Sequence, residues 1–440
     1  MLLTEIPRFF QTRRETLFRA HPDSIFIFPS HPEQIRNSDV YQPYRQESNF
    51  YYLTGFEESS SCLVLAPSGS KPGQLKTLLF VAPKDPEKEM WEGERYGVQG
   101  ARDVFGADEA YPISELEPRL KELLRDCKQV FYRLGLHPEM DRRLIEVFES
   151  ARKAQGRTGR ALLPVLDSFA PVAEMRLFKS PEEIEIMRRG CQITAQAHRE
   201  AIQQVHPGMN ERELEALVDY TFKKLGCARV GYGSIVAGGK NAACLHYRFN
   251  NEVLRDQELV LVDAGGEYGY YSADITRTFP VGKAFTQAQA EVYDVVLRAQ
   301  KSAIAMAKPG AKLPDIHQHV CESLIEGLLS LGLLSGTVQE NLKSFAYRRF
   351  YPHNTSHWLG LDVHDAGLYL KEGSPRCLEP GMVLTIEPGF YVQPGDLKTP
   401  EKYRNLGIRI EDDLLITAQG NENLTALAPK ERSEIEALKA

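Results

Sequence analysis

Short unbroken apolar runs punctuate the chain, and each reads as a strand buried on both faces. Ser24-Ile-Phe-Ile-Phe28, Cys62-Leu-Val-Leu-Ala66 and Thr77-Leu-Leu-Phe-Val81 come early, while residues 259–262 and Met382-Val-Leu-Thr-Ile386 come late. Helical spacing over Leu120 to Val130 and Leu144 to Ala151 completes an α/β layer in roughly the first 150 residues. A basic, apolar-poor stretch from Ala151 to Gly159, followed by Pro164 and Pro171, is the linker candidate. It sets a boundary near residue 172, with domains over 1–172 and 173–440.

The second domain opens on a strong helix signal. Ser180 can cap, Pro181 suits the first helical position and Glu183 completes a capping box. Ile184, Met187, Cys191, Ala195, His198 and Ile202 follow on one face, and Pro207-Gly208 ends the helix. Further helices are expected from Asn210 to Leu225, from a capped start at Thr286-Gln-Ala-Gln289, and from Ile316 to Leu333. A strand is expected over Gly231 to Val236. Two helices then strands ending in acids, twice, suggests an internal duplication. Overlaying Val-Leu-Val-Asp263-Ala-Gly on Leu-Thr-Ile-Glu387-Pro-Gly supports it, and a second acid follows each: Asp274 in the first half, Glu411 in the second.

Composition narrows the picture. The 440 residues are 42% hydrophobic and 26% charged, as in ordinary globular chains of two or three domains. A net charge of −7 gives no reason to expect nucleic acid or an anionic membrane as partner. Seven cysteines lack CxxC spacing and suit reduced thiols in a cytoplasm. No apolar run of membrane-spanning length occurs, and the first residues resemble neither a secretory signal nor a transit peptide.

The chemistry gathers around acids at strand ends. The 259–262 strand delivers Asp263; Ala264-Gly-Gly266 turns the chain, and Tyr268 to Tyr271 with Ile275 to Phe279 reads as the returning strand. Such a hairpin brings Asp263 and Asp274 together, and paired carboxylates repel unless protons or a cation lie between them. Either acid alone would read as a turn residue or a solvated charge. Four of the eleven histidines, His246, His353, His357 and His364, fall beside these acids, whereas His317 and His319 sit in a helix and read as structural. Four carboxylates (Asp263, Asp274, Glu387, Glu411) and one imidazole suit two divalent cations. Oxygen-rich ligation with one nitrogen favours Mn²⁺ and tolerates Zn²⁺ or Co²⁺. Two such ions about 3.5–4 Å apart can share a water and bring its pKa toward ~7, so the expected reaction is metal-assisted hydrolysis.

At these residues the chain resembles the aminopeptidase P family, within the creatinase, prolidase and methionine aminopeptidase superfamily of "pita-bread" proteins. The likeness runs through Tyr44-Arg-Gln-Glu-Ser-Asn-Phe-Tyr-Tyr-Leu-Thr-Gly-Phe56 and Trp91-Glu-Gly-Glu-Arg95 in the N-terminal domain. It continues through Arg176-Leu-Phe-Lys-Ser-Pro-Glu-Glu183 and Asp274-Ile-Thr-Arg-Thr-Phe279 in the catalytic domain. The resemblance implies an α+β architecture: a C-terminal pita-bread fold, a pseudo-twofold repeat of helix pairs around a curved sheet, with a smaller α/β N-terminal domain serving substrate access and oligomer contacts.

It implies Asp263, Asp274, His357, Glu387 and Glu411 as metal ligands, with Asp274 and Glu411 bridging two ions. His246 and His364 would bind substrate and stabilise the tetrahedral intermediate, and Glu387 would shuttle the proton. His353, Tyr391 and Arg409 would line a proline pocket, and Trp91 would reach a neighbouring subunit's site in a dimer or tetramer. The implied substrates are peptides with proline second. Prolidase action on Xaa-Pro dipeptides is the alternative, and a non-catalytic binding protein or a metal-free creatinase-like hydrolase ranks behind it. One departure stands out: the family's His-Gly-x-Ser-His carries Asn354 after His353 here. Asn tolerates left-handed backbone, so the loop is expected to survive, with the proline pocket open to reshaping.

Overall fold

The computed structural model describes residues 6–68, 73–125, 127–154, 156 and 163–439. The chain divides into two compact units, Met1–Val172 and Ala173–Ala440.

The first unit is built on a sheet ordered Glu109–Pro112, Leu75–Val81, Cys62–Pro67, Ser24–Pro29, Gln129–Phe131, Val165–Leu166. Ser24–Pro29 and Cys62–Pro67 pair antiparallel at its centre, buried along nearly their whole length, which is why they lack polar alternation. Helices Leu116–Leu123 and Pro138–Ala154 lay Leu116, Leu120, Leu144 and Val147 against Val64, Phe80 and Val130. Two expectations need correcting. The Leu120 to Val130 helix stops at Leu123, because Val130 and Phe131 instead pair in parallel with Ile25 and Phe26. The Ala151 to Gly159 linker is helical through Ala154, where an amphipathic helix continues over its basic residues; 155 and 157–159 lie outside the described residues.

In the second unit, helices Pro181–Gln204 and Glu211–Lys224 pack as a pair, as do Gln287–Met306 and Leu313–Ser330. Ser180 with Glu183, and Thr286 with Gln289, form the capping boxes that start the first helix of each pair. The Leu313–Ser330 helix begins three residues before its expected start because Pro314 fits its first turn. Each pair backs a small antiparallel sheet, ordered Ile235–Gly238, Leu259–Asp263, Thr276–Pro280 in the first half and Val383–Ile386, Asp412–Thr417, Gly420–Asn423 in the second. The duplicated pattern in the sequence is thus present as two helix pairs and two sheets. The halves are stitched where Glu411 N donates to Thr276 O at 3.1 Å and Thr278 Oγ1 donates to Arg409 O at 3.0 Å.

The returning strand differs from its expected form. Thr276–Pro280 pairs with Leu259–Asp263, but Gly266–Tyr268 and Tyr271–Ser272 make a separate ribbon against Arg229–Val230. A Cβ on Gly265 would lie 1.7 Å from Ala273 O, so only glycine lets the ribbon fold back this closely. The expected Gly231 to Val236 strand is interrupted because its two ends pair with different partners. Arg229–Val230 joins the ribbon and Ile235–Gly238 the main sheet, leaving residues 231–234 to cross between them.

Candidate metal centre and active site

A cavity of about 960 Å³ lies in the second unit, and its lining includes Asp263, Asp274, His357, Glu387 and Glu411. Strand ends deliver most of these groups. Asp263 closes Leu259–Asp263, Glu387 follows Val383–Ile386, and Glu411 sits between the two strands that run 407–409 and 412–417. His357 comes from an irregular stretch fixed by backbone bonds from Thr385 N to His357 O (3.0 Å) and from Glu387 N to Thr355 O (2.9 Å).

Asp274, His357 and Glu411 each offer a ligand atom within 4.8 Å of the others. His357 Nε2 lies 3.4 Å from Asp274 Oδ2 and 3.6 Å from Glu387 Oε1. Its Nδ1 lies 3.1 Å from Trp358 O, so Nδ1–H donates outward and Nε2 faces the acids.

The electrostatics describe a site short of positive charge. Burial, reinforced by Asp274, Glu387 and Asp263, pushes the Glu411 carboxyl well above its ordinary range. Burial also raises Asp263, against the pull of Arg409, and lifts Glu387 to about 7 despite His357 and Arg409. Burial alone would lower His357, yet its hydrogen bond to Asp274 and the charge of Glu387 carry it to about 9. Acids pushed upward by burial and by one another, beside an imidazole raised by the acids around it, form a donor set that a divalent cation would relieve.

Residues 185–418 match the profile of metallopeptidase family M24, and residues 10–132 match that of the aminopeptidase P N-terminal domain. The chain belongs to metallopeptidase family M24. It is 43% identical to the Xaa-Pro aminopeptidase of Escherichia coli (strain K12) over 430 residues, covering 98% of this chain and 97% of that one. Against the Haemophilus influenzae Xaa-Pro aminopeptidase the identity is 42% over 431 residues, covering 98% and 96%. The zinc-substituted E. coli aminopeptidase P in complex with product superposes with a TM-score of 0.94 at 43% identity, covering 98% of each chain. The M24 fold and its attached N-terminal domain are those expected from the sequence, and membership implies divalent metal binding.

The other expected residues are disposed unevenly in this M24 unit. His246 and His364 line the cavity with exposed side chains, and the His364 ring meets His357 edge-on at 4.4 Å and 85°. Burial and the facing His357 hold His364 below its ordinary range. His353, Tyr391 and Arg409 form a relay. Arg409 Nη1 donates to Tyr391 Oη at 2.9 Å, that hydroxyl donates to His353 Nε2 at 2.9 Å, and His353 Nδ1 donates to Asn354 O at 2.7 Å. With both nitrogens engaged and its ring buried, His353 falls to about 3 and stays neutral.

Arg409 also reaches Asp263 Oδ2 at 2.5 Å, tying the relay to the acids that line the cavity. Asn354 lines the cavity and is not among the positive-φ residues, so this loop makes no use of glycine's freedom. Trp91 belongs to the first unit, on the helix Pro86–Glu92, and is 86% exposed.

Sequence reasoning missed Tyr232, whose hydroxyl lies 2.6 Å from Asp263 Oδ1 and 2.6 Å from Asp274 Oδ1. Its only local mark is a pair of flanking glycines, Gly231 and Gly233. It also missed Thr276, whose Oγ1 donates to Glu411 Oε2 at 2.6 Å, and Arg277 beneath the site. Arg277 is fully buried and bonds Glu411 O, Thr276 O, Pro429 O, Ala428 O and Asp412 Oδ1.

Proposed function

We propose that the chain removes the first residue from peptides whose second residue is proline, using two divalent cations that Asp263, Asp274, His357, Glu387 and Glu411 would hold. One observation carries this reading: three buried donors (Asp263, Asp274, Glu411) and two half-buried ones (His357, Glu387) line a single cavity in a chain 43% identical, over 98% of its length, to an Xaa-Pro aminopeptidase. The donors are four carboxylates and one imidazole without a thiolate, which favours Mn²⁺ over Zn²⁺ or Co²⁺. When bound, such cations supply Lewis acidity to the scissile carbonyl and to the attacking water.

The chain's own residues supply the rest. The carboxylates receive the free α-amine of the substrate, which restricts cleavage to the first bond. Glu387, balanced near neutral pH, takes a proton from the attacking water at a carboxylate oxygen and returns it to the proline nitrogen as the C–N bond breaks. His246 and His364, at the exposed face of the cavity, hydrogen-bond the carbonyl oxygen as it gains charge. The relay of His353, Tyr391 and Arg409 lines the proline side. An Xaa-Pro bond has no amide hydrogen to offer, and nothing in this mechanism needs one.

The reading extends to assembly and location. Met90 and Trp91 are 81% and 86% exposed on a helix without a buried residue, which suits contact with a neighbouring subunit in a dimer or tetramer. In this reading the N-terminal unit serves substrate access. Seven cysteines without a disulfide support a cytoplasmic location.

The test compares Xaa-Pro-Yaa, Xaa-Pro and Xaa-Ala-Yaa peptides on apo protein reloaded with Mn²⁺, Zn²⁺ or Co²⁺ in turn. Release of Xaa from the first peptide alone is expected, fastest with Mn²⁺. Cleavage confined to the dipeptide would overturn the aminopeptidase reading in favour of prolidase. Glu411→Ala should abolish turnover and lower bound metal while leaving the fold, and unchanged turnover would refute the two-cation assignment.

A further inference from the structure

Behind the cavity wall that carries His364 lies a cluster of charges that the catalytic reading does not use. Asp365 follows His364 directly, and its side chain is 1% exposed where its neighbour is open to the cavity. Lys179 Nζ, also 1% exposed, lies 3.0 Å from Asp365 Oδ2, and Arg176 Nη2 bonds Asp365 Oδ1 and, at 2.7 Å, Asp362 Oδ2. Burial alone would raise the Asp365 carboxyl, but Arg176 and Lys179 hold it below the usual carboxylate range. Two cations and the Asp365 carboxylate are therefore locked together in a dry interior, with the half-exposed Asp362 capping Arg176 at the rim.

The stretch from His357 to Asp365 has almost no regular structure of its own. Its main chain is held by Leu359 N to Val383 O (3.0 Å), Ser272 N to Gly360 O (2.8 Å) and Asp365 N to Trp358 O (2.9 Å). The segment also packs against the cluster with no room to spare: a Cβ on Gly360 would lie 2.2 Å from Asp365 Oδ2 and 3.0 Å from Lys179 Cε. Lys179 is itself anchored, its N donating to Gly381 O at 2.9 Å. Buried ion pairs repay their desolvation poorly, so stability is a weak reason for such a cluster, whereas fixing the direction of an adjoining side chain is a use that hydrophobic packing serves less well.

We infer that the Arg176–Asp365–Lys179 cluster positions the catalytic imidazole of His364, setting its edge-on approach to His357 from behind the loop. Arg176, Lys179 and Asp365 are positioning residues. They touch neither substrate nor metal, and they act through His364. The inference rests on the role given to His364 under the proposed function, and its test separates the two.

The decisive variant is Lys179→Met with Asp365→Asn, which removes one charge of each sign and leaves Arg176 paired with Asp362. Gly360→Ala is the second, pressing on the same cluster with every charge intact. In protein labelled with ¹³C-histidine, the His364 resonance, assigned by its loss in His364→Ala, should shift or broaden in both variants while those of distant histidines such as His206 stay fixed. An unmoved His364 signal in both variants overturns the inference whatever the substrate is.

On Xaa-Pro-Yaa peptides, the double variant should lose at least tenfold in kcat/KM with bound metal unchanged. Added to His364→Ala, it should cost no more than a further twofold. Full multiplication of the two losses, or a loss of metal in step with activity, would show a general structural role and overturn the inference. If the wild-type protein cleaves no such peptide, the proposed function fails, and the resonance still decides the positioning role.

Discussion

The carboxylates of the proposed metal centre should make the apo protein less stable than it would be without them, and Glu387 allows the size of that effect to be worked out. Its carboxyl is raised from 4.5 to about 7 by burial and by the neighbouring acids. The folded state therefore holds this proton more tightly than the unfolded chain does. The stability gained from that proton is fully present below pH 4.5 and is lost as pH rises through 7. At 1.36 kcal/mol per pH unit the loss approaches about 3 kcal/mol, an upper figure because cavity water can screen the side chain.

Glu387→Gln removes the titration and keeps the shape. In chelator it should raise the melting temperature above wild type by roughly 5–10 °C at pH 8, using 2–4 °C per kcal/mol for a unit of this size, and by little at pH 4.5. With saturating Mn²⁺ the order should reverse. Each of two cations at a hundred times Kd would stabilise the wild type by about 2.7 kcal/mol, together more than the proton effect, whereas the variant lacks a donor. Differential scanning calorimetry at pH 4.5, 6, 7 and 8, with and without metal, reads all of this. A variant no more stable than wild type in chelator at pH 8, or one whose advantage does not grow with pH, would refute the reasoning.

Other expectations follow from single groups. His198 is buried with Nε2 3.0 Å from Ala264 O and no partner at Nδ1, and burial lowers it from 6.5 to about 4. The unfolded chain binds this proton more readily, so up to about 3 kcal/mol of stability should be gained between pH 4 and 6.5 and none above. His198→Gln should flatten that part of the melting profile, and an unchanged slope would count against the assignment. Tyr232→Phe deletes only the hydroxyl between Asp263 and Asp274. It should weaken metal binding about 10–100-fold in chelator competition with the fold retained, and an unchanged Kd would exclude that role. Arg277→Met strands buried carbonyls and part of the charge of Asp412. It should cost about 3–5 kcal/mol in urea unfolding, with Arg277→Lys little better; a loss under 1 kcal/mol would be a clear failure.

The parts of the molecule legible in the sequence were those written as local periodicity or local chemistry. The Ser180 and Thr286 caps, the all-apolar strands and the acids at Asp263 and Glu387 each announce themselves within a few residues. What escaped depends on pairing across the fold. Val130 and Phe131 could extend a helix until Ile25 and Phe26 offer a parallel edge. Tyr232 gains its meaning only when a crossing segment brings it between two acids more than thirty residues away in sequence. Arg409 was expected beside proline, yet its guanidinium is also committed to Asp263, a contact between the two halves that no local pattern encodes. Charged residues in the middle of apolar sequence, such as Arg277 and Asp412, marked the buried network without revealing which belonged with which.

The seam between the duplicated halves has a mechanical consequence. Asp263 and Asp274 come from one half, His357, Glu387 and Glu411 from the other, and main-chain ties between the halves run from Glu411 N to Thr276 O and from Ser272 N to Gly360 O. Cations gripped from both sides would act as rivets, closing a chain loop on the order of 100 residues and removing the corresponding freedom from the unfolded ensemble. Catalytic ions and structural cross-link would then be one object, so stripping the metal should leave a chain whose halves part sooner under pulling force or protease than either sheet comes undone.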